Sequence, residues 1–287
     1  VDGSVTEDMR FALLRKTQEK PDDVMFAELL VWFALQMKDY EIALNQEIAI
    51  DRRLNDREYD IIYLARIARD NEQYDIAINA YDYLIKKSKE GAFYPEAVVG
   101  LTEVEYINSE YDNSEFEKRI ENECQELGIN DMTIPILIIR TDILAFRLKE
   151  TEKAIELLNN TLELNISRLN KAKLKMKLAD IYLFNEEVWE ATLLYSQVDK
   201  SMKEEPIGHE ARFKNAQLRY YIGEFDWALA VLNILKSATS KLIANDAMTL
   251  SLVITDNLEY DTIALQRLAK ADFYIYQKRY DLANQML

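Results

Sequence analysis

The chain has 287 residues, 49% hydrophobic and 30% charged, which is too apolar for a disordered segment and ample for a continuous core. Its 35 Lys and Arg stand against 51 Asp and Glu, a net charge of −16, so nucleic acid and anionic membrane surfaces, both bound largely through cations, are disfavoured as partners. Cys124 is the only cysteine, which excludes an internal disulfide, and no apolar run approaches the roughly eighteen residues of a membrane-spanning helix.

Six glycines and four prolines leave few tight turns and predict a nearly all-helical chain. Residues 7–19 read as the second helix of a pair whose first helix is absent. The first complete pair covers 24–57, with Leu30 on its first helix (A) and Ala43 on its second (B). In the next pair, 58–94, Tyr59, Ile62, Leu64-Ala65 and Ile67 lie among polar residues on helix A. The turn Asp70-Asn71-Glu72-Gln73 follows, and Ala77, Tyr81 and Leu84 then share one face of helix B at i, i+4 and i+7. Further pairs are expected at 95–134, 135–171, 172–208 and 209–240. Residues 241–256 have helical spacing and predict an inserted helix, with a loop running to residue 263 before a last pair at 264–287. Both ends fall inside repeats, and Val1 is not an initiator methionine, so the chain reads as a fragment of a longer array.

Each pair repeats one unit, a small residue at a fixed offset of three positions after another residue, and in six of the seven that earlier residue is a tyrosine or another bulky one. The units are Tyr40–Ala43, Tyr74–Ala77, Tyr111–Ser114, Thr151–Ala154, Val188–Ala191, Phe225–Ala228 and Tyr280–Ala283, with the small residues spaced by 34, 37, 40, 37, 37 and 55. A near-constant period of this size is the mark of stacked helical repeats, and the long last interval accommodates the insertion. Where helix B crosses helix A the axes approach closely, so a large side chain at the small position should cost about 1–3 kcal/mol. Prolines agree with the register: Pro95, Pro135 and Pro206 stand at starts of A helices and Pro21 just before one, where a proline sacrifices no hydrogen bond. Gly91, Gly128 and Gly223 fall in turns or after helices.

The unit Leu64-Ala65…Ala68…Tyr74…Ala77…Tyr81…Leu84, with proline near unit starts, resembles the tetratricopeptide repeat (TPR) over essentially the whole chain, in about seven units. The units around Ala77 and Ala191 match most closely, and those of 37 or 40 residues depart from the family's shorter unit. The resemblance implies an all-α, right-handed superhelical solenoid of antiparallel helix pairs, whose A helices line a concave groove that docks a protein, peptide or helix. The matched positions are all scaffold positions. The abundance of Asn, Ile, Lys, Glu and Tyr resembles TPR arrays of AT-rich bacteria, such as the exported or envelope-associated ones of Bacteroidota, which implies an exported or periplasmic location over a cytoplasmic one. The function implied is that of a non-enzymatic interaction scaffold. The alternative is a sensory or regulatory segment of a larger signalling or transcription-regulating protein.

By the same register the groove residues are Trp32, Arg66, Arg69, Tyr106, Phe146, Arg147, Phe184, Tyr220, Tyr221 and Tyr276. Aromatic and arginine side chains make good interface anchors; the second reading of the aromatic ones is packing between adjacent A helices. The family's carboxylate clamp needs Lys and Asn one turn apart on helix A. The pairs here, among them Glu28/Trp32, Ile62/Arg66, Met176/Asp180 and Phe213/Gln217, do not supply it. A net charge of −16 points to a partner with a basic patch. His209, the only histidine, is expected on the solvated surface, and Cys124 is expected to pack in a B helix, where flanking acids disfavour its thiolate. With one histidine, one cysteine and no glycine-rich phosphate loop, the chain is expected to be no enzyme and to carry no metal or cofactor.

Overall fold

The computed structural model of the protein describes residues 3–20, 23–108, 110–237 and 241–286. These residues form α-helices with, among the described residues, no strand. In chain order the helices are α1 (Gly3–Glu19), α2 (Val24–Gln36), α3 (Tyr40–Leu54), α4 (Glu58–Asp70), α5 (Tyr74–Lys87), α6 (Tyr94–Asn108), α7 (Asn113–Leu127) and α8 (Ile134–Phe146). They continue with α9 (Thr151–Leu162), α10 (Arg168–Phe184), α11 (Val188–Ser201), α12 (Pro206–Tyr221), α13 (Phe225–Leu235), α14 (Lys241–Leu258), α15 (Thr262–Tyr276) and α16 (Tyr280–Met286). Neighbouring helices pack on one another in sequence order, and alternate helices such as α3 and α5, or α4 and α6, touch as well. The chain forms two compact units, Val1–Arg140 and Thr141–Leu287.

Local chemistry fixes where the helices start. Asp39, Asp112 and Asp261 accept backbone N–H groups of the first turns of α3, α7 and α15, satisfying donors that have no partner inside a helix. Pro206 opens α12, so that helix begins ahead of residue 209. Ser167 accepts from the Asn170 N–H, so α10 begins at Arg168, ahead of residue 172. The inserted α14 runs to Leu258 and the Asp261 cap starts α15 at Thr262, which shortens the loop expected up to residue 263. Pro21 lies outside the described residues.

One turn recurs between the paired helices. Lys38, Glu72, Lys149, Glu186, Gly223 and Lys278 take φ of 57°, 60°, 61°, 68°, 82° and 58°, each two positions before the next helix begins. The N–H that follows folds back onto the preceding helix: Asp39 donates to the Ala34 carbonyl, Gln73 to Ala68, Glu187 to Tyr182 and Arg279 to Tyr274, all at 2.8 Å. A single left-handed residue therefore reverses the chain in the same way each time.

Behind each of these turns Ala43, Ala77, Ala154, Ala191, Ala228 and Ala283 are buried, each as the fourth residue of its helix. The α7 hairpin corrects the expected register, because Ser114 is exposed. Asp112 takes the N–H groups of both Ser114 and Glu115, so α7 starts at Asn113 and its fourth residue is Phe116. That ring is buried and stacks on Tyr111, with centroids 4.1 Å apart. Where α6 of this pair meets α5 of the one before, the close approach falls on Gly100, where a Cβ would meet the Tyr81 ring at 2.4–2.8 Å. Tyr81 and the fully buried Ile61, Ile62 and Ala77 belong to one core in the first unit. Each large aliphatic side chain buried this way contributes about 1.5–3 kcal/mol.

Candidate functional site

In the first unit, ion pairs connect successive A helices. Glu28 of α2 pairs with Arg57 at the start of α4. Arg66 of α4 forms a two-pronged pair with Glu96 of α6, its Nε and Nη2 donating at 2.5 and 2.6 Å, and Arg69 reaches Glu103 at 3.2 Å. The hydrogen bond to Glu96 holds the Arg66 guanidinium above its ordinary pKa. Partly exposed pairs of this kind contribute about 0.2–1 kcal/mol each. Arg66 and Arg69 are thus engaged within the chain, and what this face offers a partner is apolar. Met25, Leu29 and Trp32 are exposed along α2 at i, i+4 and i+7, and Tyr59 and Tyr63 are exposed one turn apart on α4. Trp32 is 57% exposed and Tyr59 60%, although the latter also touches Phe93 with ring centroids 6.2 Å apart. Tyr106 is half-buried at the end of α6, its ring 6.3 Å from that of Tyr111.

The second unit brings Phe146, Phe184, Tyr221 and Tyr276 into one chain of ring contacts. Phe146 meets Phe184 edge-on at 4.9 Å, Phe184 meets Tyr276 at 6.5 Å, and Tyr276 meets Tyr221 at 6.0 Å. Tyr221 stacks on Phe273 at 5.2 Å, and Tyr220 lies 6.0 Å from Phe225. Inserted α14 packs on α13, α12 and α15, and α15 lies against α12. Three bonds tie the end of α15 and the turn after it to α10 and its own following turn: Tyr276 Oη donates to the Asp180 carbonyl at 2.9 Å, Gln277 Nε2 to the Phe184 carbonyl at 2.8 Å, and Arg279 reaches Glu186 at 2.5 Å. Helix α15 therefore packs against Phe184 and Tyr221, two of the side chains that the sequence reading left open to a partner.

Tyr220 and Tyr221 are corrections to that reading. Tyr220 is only 1% exposed and donates to Asp272 at 2.7 Å, and Tyr221 is buried as well, so neither presents a docking surface. Burial raises both hydroxyls above the ordinary pKa, with Asp272 adding to the effect. Phe146, Phe184 and Tyr276 are half-buried, while Arg147 is exposed. The Asp180 carboxylate is the hub of this packing, accepting from Tyr195 at 2.6 Å and from Lys214 at 2.7 and 2.8 Å. A cleft of about 600 Å³ remains at the turn end of these helices, lined by Phe146, Lys149, Phe184, Lys278 and Arg279 among others.

Two titratable groups singled out in the sequence lie elsewhere. Cys124 is buried on α7 beside Phe116 and Ile120, and burial pushes its thiol up to about 11 against the opposing influence of Arg140, so it stays protonated and unreactive at neutral pH. His209 is not on the solvated surface: it is half-buried in α12, and its Nδ1 has no hydrogen-bond partner among the described residues. Sequence reasoning passed over Trp189 and Trp227, exposed on the B helices α11 and α13. The available signal was a tryptophan in the first turn of each helix, off the register of its buried alanine.

No helix among the described residues is long and apolar enough to cross a membrane. No protein-family model and no curated protein matches the chain.

Proposed function

We propose that the protein is a non-enzymatic, TPR-like interaction scaffold, a right-handed superhelical array that docks a protein or peptide on the A-helix face of its first unit. One observation carries this reading. Met25, Leu29 and Trp32 on α2 stand exposed at helical spacing, with exposed Tyr59 and Tyr63 on the next A helix, while the charges between them are already paired within the chain. Large apolar and aromatic groups at one surface are what a partner's apolar side chains desolvate most favourably. The net charge of −16 favours a partner that brings a basic patch.

A comparative pull-down from the native organism tests it, with wild-type protein and a Trp32→Ala/Tyr59→Ala variant as baits. Both residues are exposed, so the variant folds, and the reading expects prey held by the wild type to be lost. Identical prey on both baits would remove this face from consideration.

A further inference from the structure

The second unit carries an apolar surface on its B helices that no A-helix register anticipates. Trp189 and Leu193, one turn apart on α11, are 74% and 59% exposed, and Trp227 and Ile234, two turns apart on α13, are 41% and 61% exposed. Arg219 rises from α12 between them, its guanidinium carbon 5.9 Å from the Trp189 ring and 5.1 Å from the Trp227 ring. Both indoles thus border one guanidinium, a cation–π arrangement that stiffens them and joins the two helices into one surface. Glu224 pairs with that guanidinium at 2.8 Å, which neutralises the cation at the centre.

The edge of this surface is acidic. Glu187 and Glu190 on the α11 side and Glu224 and Asp226 on the α13 side are all exposed. An apolar centre with two tryptophans and an arginine has the composition of an interface hot spot, and the acids around it set the charge of what it accepts.

We propose that this face docks an amphipathic helix of a protein partner, with an apolar stripe about two turns long flanked by Lys and Arg. The stripe covers Trp189, Leu193, Trp227 and Ile234, and the flanking cations meet the Glu187, Glu190 and Asp226 carboxylates. A second copy of the chain would set one acidic rim against another, and an anionic bilayer would meet the same repulsion.

The test uses Trp32→Phe protein, whose emission then comes from Trp189 and Trp227 alone, since the chain has three tryptophans. Two synthetic helical peptides serve as probes, both with Leu at i, i+3, i+4 and i+7, one flanked by Lys and the other by Glu. The Lys peptide is expected to blue-shift the emission, with affinity falling at least about tenfold between about 50 and 500 mM salt. Leu193→Glu/Ile234→Glu should weaken it by a similar factor. The charge-reversed Glu190→Lys/Asp226→Lys protein, which keeps the apolar centre, should prefer the Glu peptide. No shift with the Lys peptide, equal binding of both peptides by the parent, co-sedimentation with phosphatidylcholine vesicles, or self-association abolished by Leu193→Glu would each overturn the proposal. The surface is built from residues of the second unit alone, so loss of the first-unit reading leaves this test unaffected.

Discussion

Two acids one turn apart on α3 meet opposite fates. Asp51 is buried, which alone would raise its pKa. The Lys87 ammonium, the Arg57 N–H and the Tyr83 hydroxyl more than reverse that cost, so its carboxyl lies below the ordinary value. Glu47, 5% exposed, has no such set of donors, and its Oε2 has no partner among the described residues. Burial, then the nearby Asp60 charge, with smaller contributions from Glu28 and Asp51, pushes its carboxyl from 4.5 up to about 7 against the pull of Arg57. The folded protein therefore binds a proton more tightly than the unfolded chain at this site. Its stability falls as pH rises from about 4.5 through about 7, by an amount on the order of 3 kcal/mol once Glu47 is ionised. Glu47→Gln, which keeps the shape without the charge, should raise the melting temperature at pH 8 and leave it nearly unchanged at pH 5. Melting curves at both pH values check this, and an equal shift at the two would mean that the charge of Glu47 is not what burial resists.

At the level of elements, the same left-handed turn residue is a glycine once and a charged residue elsewhere. Glu72 at φ 60° carries a Cβ strain that Gly223 at φ 82° avoids. Glu72→Gly should therefore raise the stability of the first unit or leave it level, the relief of about 1 kcal/mol offset in part by the greater freedom of glycine in the unfolded chain. Gly223→Ala should lower stability by about 1 kcal/mol, because nothing crowds the site and only the backbone objects. Urea titrations of the two variants read the contrast, and a stabilised Gly223→Ala would remove the common turn as an explanation. This turn also shows what the sequence makes legible. A buried alanine at the fourth residue of a B helix is a steric demand visible in one dimension, so Ala77 and Ala191 mark their hairpins unaided. In α7 the local bond from Asp112 to two backbone amides sets the start of the helix, and the Tyr111–Ser114 pattern, though intact as letters, falls out of phase with the buried face. Trp189 and Trp227 were missed for a related reason: a register built on inward A-helix positions assigns no role to an outward B-helix side chain.

At the scale of the whole molecule, the all-helical class with helices packed in sequence order was legible because short-range periodicity dictates it, while the packing of Tyr220, Tyr221 and Tyr276 was not. Tyr220 donates to Asp272, 52 positions along the chain, Tyr221 stacks on Phe273, and Tyr276 reaches the Asp180 carbonyl 96 positions back, contacts that no local pattern encodes. The insertion that made the last interval 55 residues long contributes α14, which packs on α12, α13 and α15, and the end of α15 bonds to α10. In a purely nearest-neighbour stack, loosening one helix affects only the next. The bonds from α15 to α10 bypass α11 to α14, so the second unit should open as a loop-closed body, with α10 and α15 losing protection together. Tyr276→Phe/Gln277→Ala removes two donors, each contributing about 1 kcal/mol, and leaves the α10 carbonyls to water. Native-state hydrogen exchange should then show amides in the last turn of α10 and in α15 exchanging faster by a common factor of roughly ten to a hundred, with α4 and α5 in the other unit unchanged. Faster exchange confined to α15 and α16 would mean that the closure adds no cooperativity, and that α15 behaves as the frayed end of a linear array.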